Sequence, residues 1–241
     1  EPKLDDKAGK AFWSDTWAES TLPEPVDPQD TQLQNYPNRI FHKKFMDLFD
    51  KNETQDQKLL EIGCARSAWL PYFAREFNFK VSGLDYSPLG CEMAKEVLIQ
   101  NNIESTIVCA DLFSPPEHMI GQFDVVCSFG VVEHFDNTSA CLAALSEFLK
   151  PGGIIVTSVP NMTGIIGLLQ DFMNKPVYEI HVPIDREMLF SAHEKAEFQI
   201  IENDYFMSTS FGVINLTGVD TGTLSYYFKK LVLGVLARIS M

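Results

Sequence analysis

Three side chains that could move a proton fall in two short segments of the sequence. Glu133 and His134 are adjacent, and His181 follows in a later segment. Because imidazole titrates near neutral pH, His134 or His181 could act as a general base, with Glu133 beside them. The competing interpretation is structural: these side chains would hold neighbouring loops by hydrogen bonds. Their spacing matches no established metal-ligand motif, so no metal site is predicted.

A second set of residues that could bind a ligand lies where predicted strands end. Glu61 belongs to an apolar run, which leads into the small residues Gly63 and Ala65. Small residues let a backbone turn tightly and approach a ligand. Asp85 ends the next predicted strand, at a distance that suits a carboxylate holding two ribose hydroxyls. This pattern indicates a nucleotide-type site at one edge of a sheet.

The elements that must position these groups alternate along the chain. Apolar runs predict strands at 58–63, 79–85, 104–110, 123–129, 154–159, 199–206 and 210–217. Helical spacing and end signals predict helices at 38–50, 68–77, 87–101, 138–149 and 185–196. Strands alternating with helices of this length imply βαβ units and a mostly parallel sheet of about seven strands.

Three segments lie outside the alternation. Residues 1–35 hold Phe12, Trp13 and Trp17 among prolines, and are interpreted as either a floppy leader or a lid that orders over a ligand. The remaining residues, 36–241, form the predicted main domain. Within it, 161–184 read as a small cap after the fifth strand, and 224–241 as a C-terminal helix.

Taken in order, these motifs resemble those of class I S-adenosylmethionine-dependent methyltransferases. They are E-x-G-x-A-x-S at 61–67, Asp85, Cys109-Ala110-Asp111, F-D-V-V at 123–126 and L-K-P-G-G at 149–153. The V-x-E-H stretch at 131–134 is similar to that of small-molecule methyltransferases of the ubiquinone-pathway O-methyltransferase type. The resemblance implies an α/β, Rossmann-like, doubly wound fold with S-adenosylmethionine as cofactor.

The resemblance also implies roles at the cofactor site. Gly63 and Ala65 would contact the methionine part, and Glu61 would steady their loop. The other implied contacts are Asp85 with the ribose hydroxyls, Tyr86 beside the adenine, Asp111 and the Leu112 amide with the adenine edge, and Phe129 and Gly130 with the sulfonium. Arg39 is the candidate partner for the cofactor carboxylate, because a guanidinium binds carboxylates in a fork. The alternative is an exposed helical arginine.

Methyl transfer from a sulfonium is an in-line displacement that depends mainly on proximity and alignment. Phe12, Trp13, Trp17 and Tyr178 are the predicted lining of the acceptor pocket, and they favour a small, partly apolar acceptor with an O, N or S nucleophile. Three alternatives stay open: a protein or peptide methyltransferase, a non-catalytic cofactor-binding module, and another Rossmann-like enzyme.

Charge and cysteine content limit the partners and the cellular compartment that we expect for this protein. The net charge of −14 opposes binding to phosphate backbones, so no nucleic-acid partner is predicted. Five cysteines without a CxxC pair favour buried thiols in a reducing compartment, and thus a cytoplasmic location. The apolar stretch 226–241, with three cations, could lie on a membrane surface or form a final helix on the sheet edge. The sequence carries no indication of oligomeric state.

Overall fold

The computed structural model describes residues 6–207 and 210–239. A parallel sheet forms the centre, and its strand order is β3-β2-β1-β4-β5. The strands are β1 (Lys58–Ile62), β2 (Lys80–Asp85), β3 (Thr106–Cys109), β4 (Phe123–Phe129) and β5 (Leu149–Ser158). Because the order reverses between β1 and β4, the carboxyl ends of these two strands flank the switch point at which open α/β sheets bind ligands.

Ten α-helices accompany the sheet in the described residues. They are α1 (Gly9–Ala18), α2 (Tyr36–Leu48), α3 (Lys51–Thr54), α4 (Trp69–Phe77), α5 (Pro88–Gln100), α6 (Thr138–Ser146), α7 (Ile165–Met173), α8 (Lys175–Glu179), α9 (Arg186–Lys195) and α10 (Leu224–Ile239). Two predicted helix starts are confirmed by their caps. The Ser87 side chain accepts from the Gly90 amide, and the Asp185 side chain accepts from the Met188 amide.

Helices cover both faces of the sheet, which explains the continuous apolar strands. On one face Leu59 packs in a cluster with aromatic side chains of α2 and α4, such as Phe45 and Phe73. On the other face Leu60 packs with α6, whose Leu142 is fully buried. Since adjacent strand residues point to opposite faces, both must be apolar. The doubly wound parallel arrangement is therefore confirmed.

The expectation of about seven strands is wrong, because the sheet has five strands in the residues that the structure describes. The segments 199–206 and 210–217 form no strand in their described residues, and Phe211–Val213 is a short 3₁₀ helix. Polar contacts tie the first segment to α9 instead: the Asn203 side chain donates to the Arg186 carbonyl, and Arg186 pairs with Asp204 at 3.5 Å. Its apolar side chains are not a buried strand face either, since Ile201 is 74% exposed.

The predicted helix 138–149 is too long, because α6 ends at Ser146 and β5 already begins at Leu149. The Pro-Gly-Gly sequence that follows lies inside β5. The pairing of β4 with β5 shifts register between Phe123 and Val125, and Gly152 there adopts φ +79°. A glycine at positive φ accommodates such an irregularity without ending the strand.

The predicted cap contains α7 and α8, and it has its own small core. Met162, Ile166, Met173 and Ile214 are buried there, with Val232 and Leu233 of α10 packed against them. The Lys229 ammonium also donates to the Met173 carbonyl. The C-terminal helix thus packs on the cap and not on the sheet edge. No helix in the described part of the chain is both long and apolar enough to cross a membrane.

Candidate active site

The loop between β1 and α4 makes a tight turn at the carboxyl end of the sheet. Gly63 adopts φ +74°, and a Cβ placed there would lie 2.5 Å from Cγ2 of Val131. Any larger residue would meet both a strained backbone and a collision. Glycine therefore lets this loop approach the segment that follows β4.

Glu61, in β1, anchors the same loop through a hydrogen bond. Its carboxylate accepts a hydrogen bond from the Ser67 hydroxyl, whose oxygen accepts from the Trp69 and Leu70 amides at 3.1 and 3.0 Å. Ser67 thus caps α4 and links it to β1. Burial raises the pKa of Glu61 to about 8, although the Ser67 hydrogen bond opposes that shift.

Asp85, at the end of β2, is the acceptor around which neighbouring loops assemble. One carboxylate oxygen accepts from the Ala65 amide at 3.1 Å, and the other accepts from the Ser87 amide at 2.7 Å. Burial raises the pKa of this carboxyl, while these amides and the nearby Lys10 lower it. The Tyr86 hydroxyl, next in sequence, donates to Asp6 at 2.6 Å.

Beyond β3, Asp111 is exposed and accepts from the Phe113 amide at 3.0 Å, whereas Leu112 is buried in the core. Since β2 and β3 are neighbours, Asp85 and Asp111 follow adjacent strand ends. Their contacts with the ribose and the adenine of the cofactor stay predictions.

Phe129 and Gly130 terminate β4, at the centre of the sheet. The Phe129 ring is half-buried and stacks on Phe73 with ring centroids 6.4 Å apart. Gly130 adopts φ +72°, and its amide donates to the Ser158 carbonyl at 2.9 Å. The aromatic cluster therefore fixes the ring, and the glycine turns the chain out of the sheet.

Arg39 lies on α2, and the hydrogen bonds of its side chain go to the segment that precedes this helix. Its guanidinium donates to the Asp30 carbonyl at 2.8 Å and to the Gln32 carbonyl at 3.0 Å, so it holds the N-terminal segment. Sequence reasoning passed over a second arginine, Arg66, which lies in the glycine-containing loop itself. Its position between the small residues of the loop was the available signal.

The structure brings Glu133, His134 and His181 together, although two elements supply them. One potential ligand atom of each lies within 4.8 Å of the others. Nδ1 of His134 is 2.9 Å from the Ile180 carbonyl oxygen, and Nδ1 of His181 is 2.6 Å from that of Val177. Because a carbonyl only accepts, Nδ1 of each ring bears the proton, and the Nε2 lone pair stays free in the neutral form.

Burial controls the charge of this cluster. Glu133 is 1% exposed, its Oε2 has no hydrogen-bond partner in the described residues, and its pKa is raised to about 8. Burial lowers the pKa of His134 to about 4 and also lowers that of His181. All three side chains are therefore mainly neutral at pH 7. The neutral imidazoles can accept a proton, whereas Glu133 accepts one only in its deprotonated form, which becomes the main form above about pH 8. Two imidazoles with one carboxylate could also bind a divalent cation, which the sequence spacing did not predict.

Helix α1 lies across these strand ends. The Lys7 amide donates to the His134 carbonyl at 2.9 Å, and the Trp13 ring meets the His134 ring edge-to-face at 5.2 Å. At the other end of α1, the ring of Trp17 lies 3.3 Å from the position that a Cβ would take on Gly90 in α5. Phe12 packs edge-on against Trp13. The three predicted lid aromatics thus share one site, whereas Tyr178 packs in the cap core.

Comparisons with known proteins identify the relatives of this chain. A family profile described as a methyltransferase domain matches residues 31–203. The chain is 35% identical over 101 residues to ribosomal protein L11 methyltransferase of Thermosipho africanus, covering 42% of this chain and 36% of that protein. It is 28% identical over 108 residues to ubiquinone biosynthesis O-methyltransferase of Escherichia fergusonii, covering 45% of each. The matched region thus spans less than half the length of these relatives.

Among solved structures, the chain is similar to geranyl diphosphate C-methyltransferase of Streptomyces coelicolor A3(2), which was determined with Mg²⁺, geranyl diphosphate and S-adenosyl-L-homocysteine. The TM-score is 0.53 at 18% identity, covering 81% of this chain and 80% of that one. This likeness shows a shared fold. The family match covers most of the chain, which therefore belongs to the methyltransferase-domain family of class I S-adenosylmethionine-dependent enzymes.

Proposed function

We propose that the protein transfers a methyl group from S-adenosylmethionine to a small-molecule acceptor with an O, N or S nucleophile. The observation that carries this proposal is the buried Glu133–His134–His181 cluster, which lies beneath Trp13 beside the carboxyl end of β4. A polar cluster sealed by an aromatic side chain suits an enclosed acceptor whose nucleophile must lose a proton.

The residues at the strand ends fit the cofactor. Gly63 allows the close loop approach, Asp85 offers two carboxylate oxygens, and the buried Nε of Arg66 lacks a partner in the described residues. When bound, S-adenosylmethionine supplies an activated methyl group on a sulfonium. The chain then contributes alignment and exclusion of water.

Glu133 is the proposed general base for a hydroxyl acceptor. Its Oε1 lies 3.6 Å from the position that a Cβ would take on Gly130, the residue expected beside the sulfonium. A carboxylate with a raised pKa is a stronger base than an ordinary one. It would take the acceptor proton as the new oxygen–carbon bond forms, while the carbon–sulfur bond breaks and leaves its electron pair on sulfur. His134 and His181 would orient the acceptor through their free Nε2 lone pairs.

Enclosure argues for a small acceptor over a protein side chain on an intact partner. His134 is 4% exposed, and it is covered by Lys7, just before α1, and by the Trp13 ring of α1. The relation to ribosomal protein L11 methyltransferase keeps a protein acceptor as the second candidate. That candidate requires α1 to move far enough to admit a polypeptide.

The test is an acceptor screen in which S-adenosylhomocysteine release is measured with phenols, amines, thiols, carboxylates and a lysine-rich peptide. We expect turnover with at least one small molecule, and a loss of at least about a hundredfold in Glu133→Gln with a hydroxyl acceptor. The control is Glu147→Gln, which changes an exposed glutamate after α6 and should keep full activity. The proposal would be contradicted if the peptide were the only acceptor methylated, or if no acceptor in the screen were methylated.

A further inference from the structure

Arg66 adopts an unusual backbone conformation in the loop between β1 and α4. Its φ is +45°, in the left-handed region. For a residue with a Cβ this region costs about 1 kcal/mol, and glycine would avoid that cost. Strain of this kind persists at functional sites where the side chain has a use.

The guanidinium of Arg66 is also incompletely satisfied. Its Nε is buried and has no hydrogen-bond partner in the described residues. The salt bridges found in residues 6–207 and 210–239 do not include it. The nearest aromatic support is Trp17 of α1, whose ring centroid is 5.9 Å from the guanidinium carbon. Burial lowers the pKa of Arg66, but an arginine stays protonated at neutral pH. A half-buried cation without an anion is a site prepared for one.

The location of Arg66 identifies the anion. It follows Ala65, whose amide donates to Asp85, and it precedes Ser67, which caps α4. This loop is the one expected to contact the methionine part of the cofactor, which carries a carboxylate. The other candidate, Arg39, already donates to two carbonyl oxygens of the N-terminal segment.

We propose that Arg66 binds the carboxylate of the cofactor's methionine part, with its guanidinium supported by the Trp17 ring. This assignment rests on the proposed function, because it requires the cofactor site at the β1 loop. It replaces Arg39 as the anion partner.

The test compares two ligands by calorimetry. S-adenosylhomocysteine has the carboxylate, whereas 5′-deoxy-5′-methylthioadenosine lacks the whole amino-acid part. In Arg66→Gly we expect affinity for S-adenosylhomocysteine to fall more than about tenfold, as for a lost charge-assisted contact, and affinity for methylthioadenosine to change less than about twofold. Because glycine suits φ +45°, the Tm should not fall. Arg66→Gln should show the same ligand selectivity.

Two further arginine variants sharpen the comparison. Arg75→Gln, in the last turn of α4, should leave both affinities unchanged. Arg39→Gln should not weaken the binding of S-adenosylhomocysteine more than that of methylthioadenosine. A selective loss in Arg39→Gln, an equal loss of both ligands in Arg66→Gly, or no loss at all would overturn the assignment. If the unaltered protein bound neither ligand, the cofactor site itself would be wrong, and that outcome is distinct from a fault in Arg66 alone.

Discussion

Burial sets the protonation of the ionisable side chains at the end of β4 and in the β1 strand. Desolvation is the largest cause of the raised pKa of Glu61 and Glu133, and it is also the largest cause of the lowered pKa of His134. Acids and bases shift in opposite directions because the charged form is disfavoured in each case. Glu133 and His134 are therefore mainly neutral at pH 7, and the Trp13 ring of α1 packs against His134.

The first residue-scale prediction concerns the pH dependence of turnover. A general base must be deprotonated, so a reaction that uses Glu133 should speed up as pH rises and level off above a pKa of about 8. If His134 were the base, its pKa of about 4 would make the rate flat from pH 6 to 9. The measurement is the pH profile of kcat/KM with a hydroxyl acceptor. A flat profile would remove Glu133 from the role of base.

The second prediction concerns stability and Glu61, whose folded-state pKa of about 8 lies above its ordinary value of 4.5. The folded protein then binds more protons than the unfolded chain between these values. The contribution of Glu61 to the free energy of unfolding is full below about pH 4.5 and is lost as pH rises through about 8. Urea unfolding at pH 5, 7 and 9 should show a smaller decline in Glu61→Gln than in the unaltered protein. Equal declines would mean that Glu61 does not carry this dependence.

At the scale of elements, the sequence predicted β1 to β4 closely because these strands are buried on both faces and read as continuous apolar runs. It failed at 199–206 and 210–217: Asn203 of the first segment hydrogen-bonds to α9, and Ile214 of the second packs in the cap core. The starts of α5 and α9 were predicted correctly because capping, here by Ser87 and Asp185, depends on adjacent residues. The contact between His134 and His181 depends on where α8 places His181, which the spacing of residues along the chain does not show. The positive φ of Arg66 could not be predicted either, because arginine is not a residue type that favours this conformation.

The prediction at this scale is that helix α1 acts as a lid over the carboxyl end of the sheet, where the cofactor is expected to bind. The chain has three tryptophans: Trp13 and Trp17 on α1, and Trp69 at the start of α4. Trp13 touches His134, which follows β4, and Trp17 approaches Gly90 at the start of α5, so we expect bound cofactor to alter their surroundings. Fluorescence should change on addition of S-adenosylhomocysteine, and most of that change should vanish in a Trp13→Phe/Trp17→Phe double variant. A full response from Trp69 alone would refute the lid.

At the scale of the molecule, α7 and α10 present apolar side chains to solvent on a chain of net charge −14. Leu168 and Phe172 of α7 are more than 70% exposed, and Leu231 of α10 is 66% exposed. The sequence from 224 to 241 contains no acidic residue, and Arg238 is exposed. An apolar face bordered by cations is typical of a helix that lies on an anionic membrane surface.

The corresponding prediction is reversible binding to anionic vesicles. We expect the protein to co-sediment with phosphatidylglycerol vesicles, less with phosphatidylcholine, and less still as salt rises. Leu231→Ser should weaken this binding, whereas Ile99→Ser, which changes an equally exposed side chain on α5, should not. If the two variants bound the anionic vesicles equally well, the prediction that the apolar faces of α7 and α10 contact membranes would be wrong.

The central claim, a cofactor held at the carboxyl edge of the sheet, depends most directly on Asp85. In the structure its carboxylate lies at the end of β2, is 7% exposed and is held by the amides of Ala65 and Ser87. Calorimetric titration with S-adenosylhomocysteine should show affinity reduced by well over tenfold in Asp85→Ala, as for loss of a charge-assisted bidentate contact, with the fold verified by circular dichroism. Unchanged affinity in a folded Asp85→Ala variant would contradict the account.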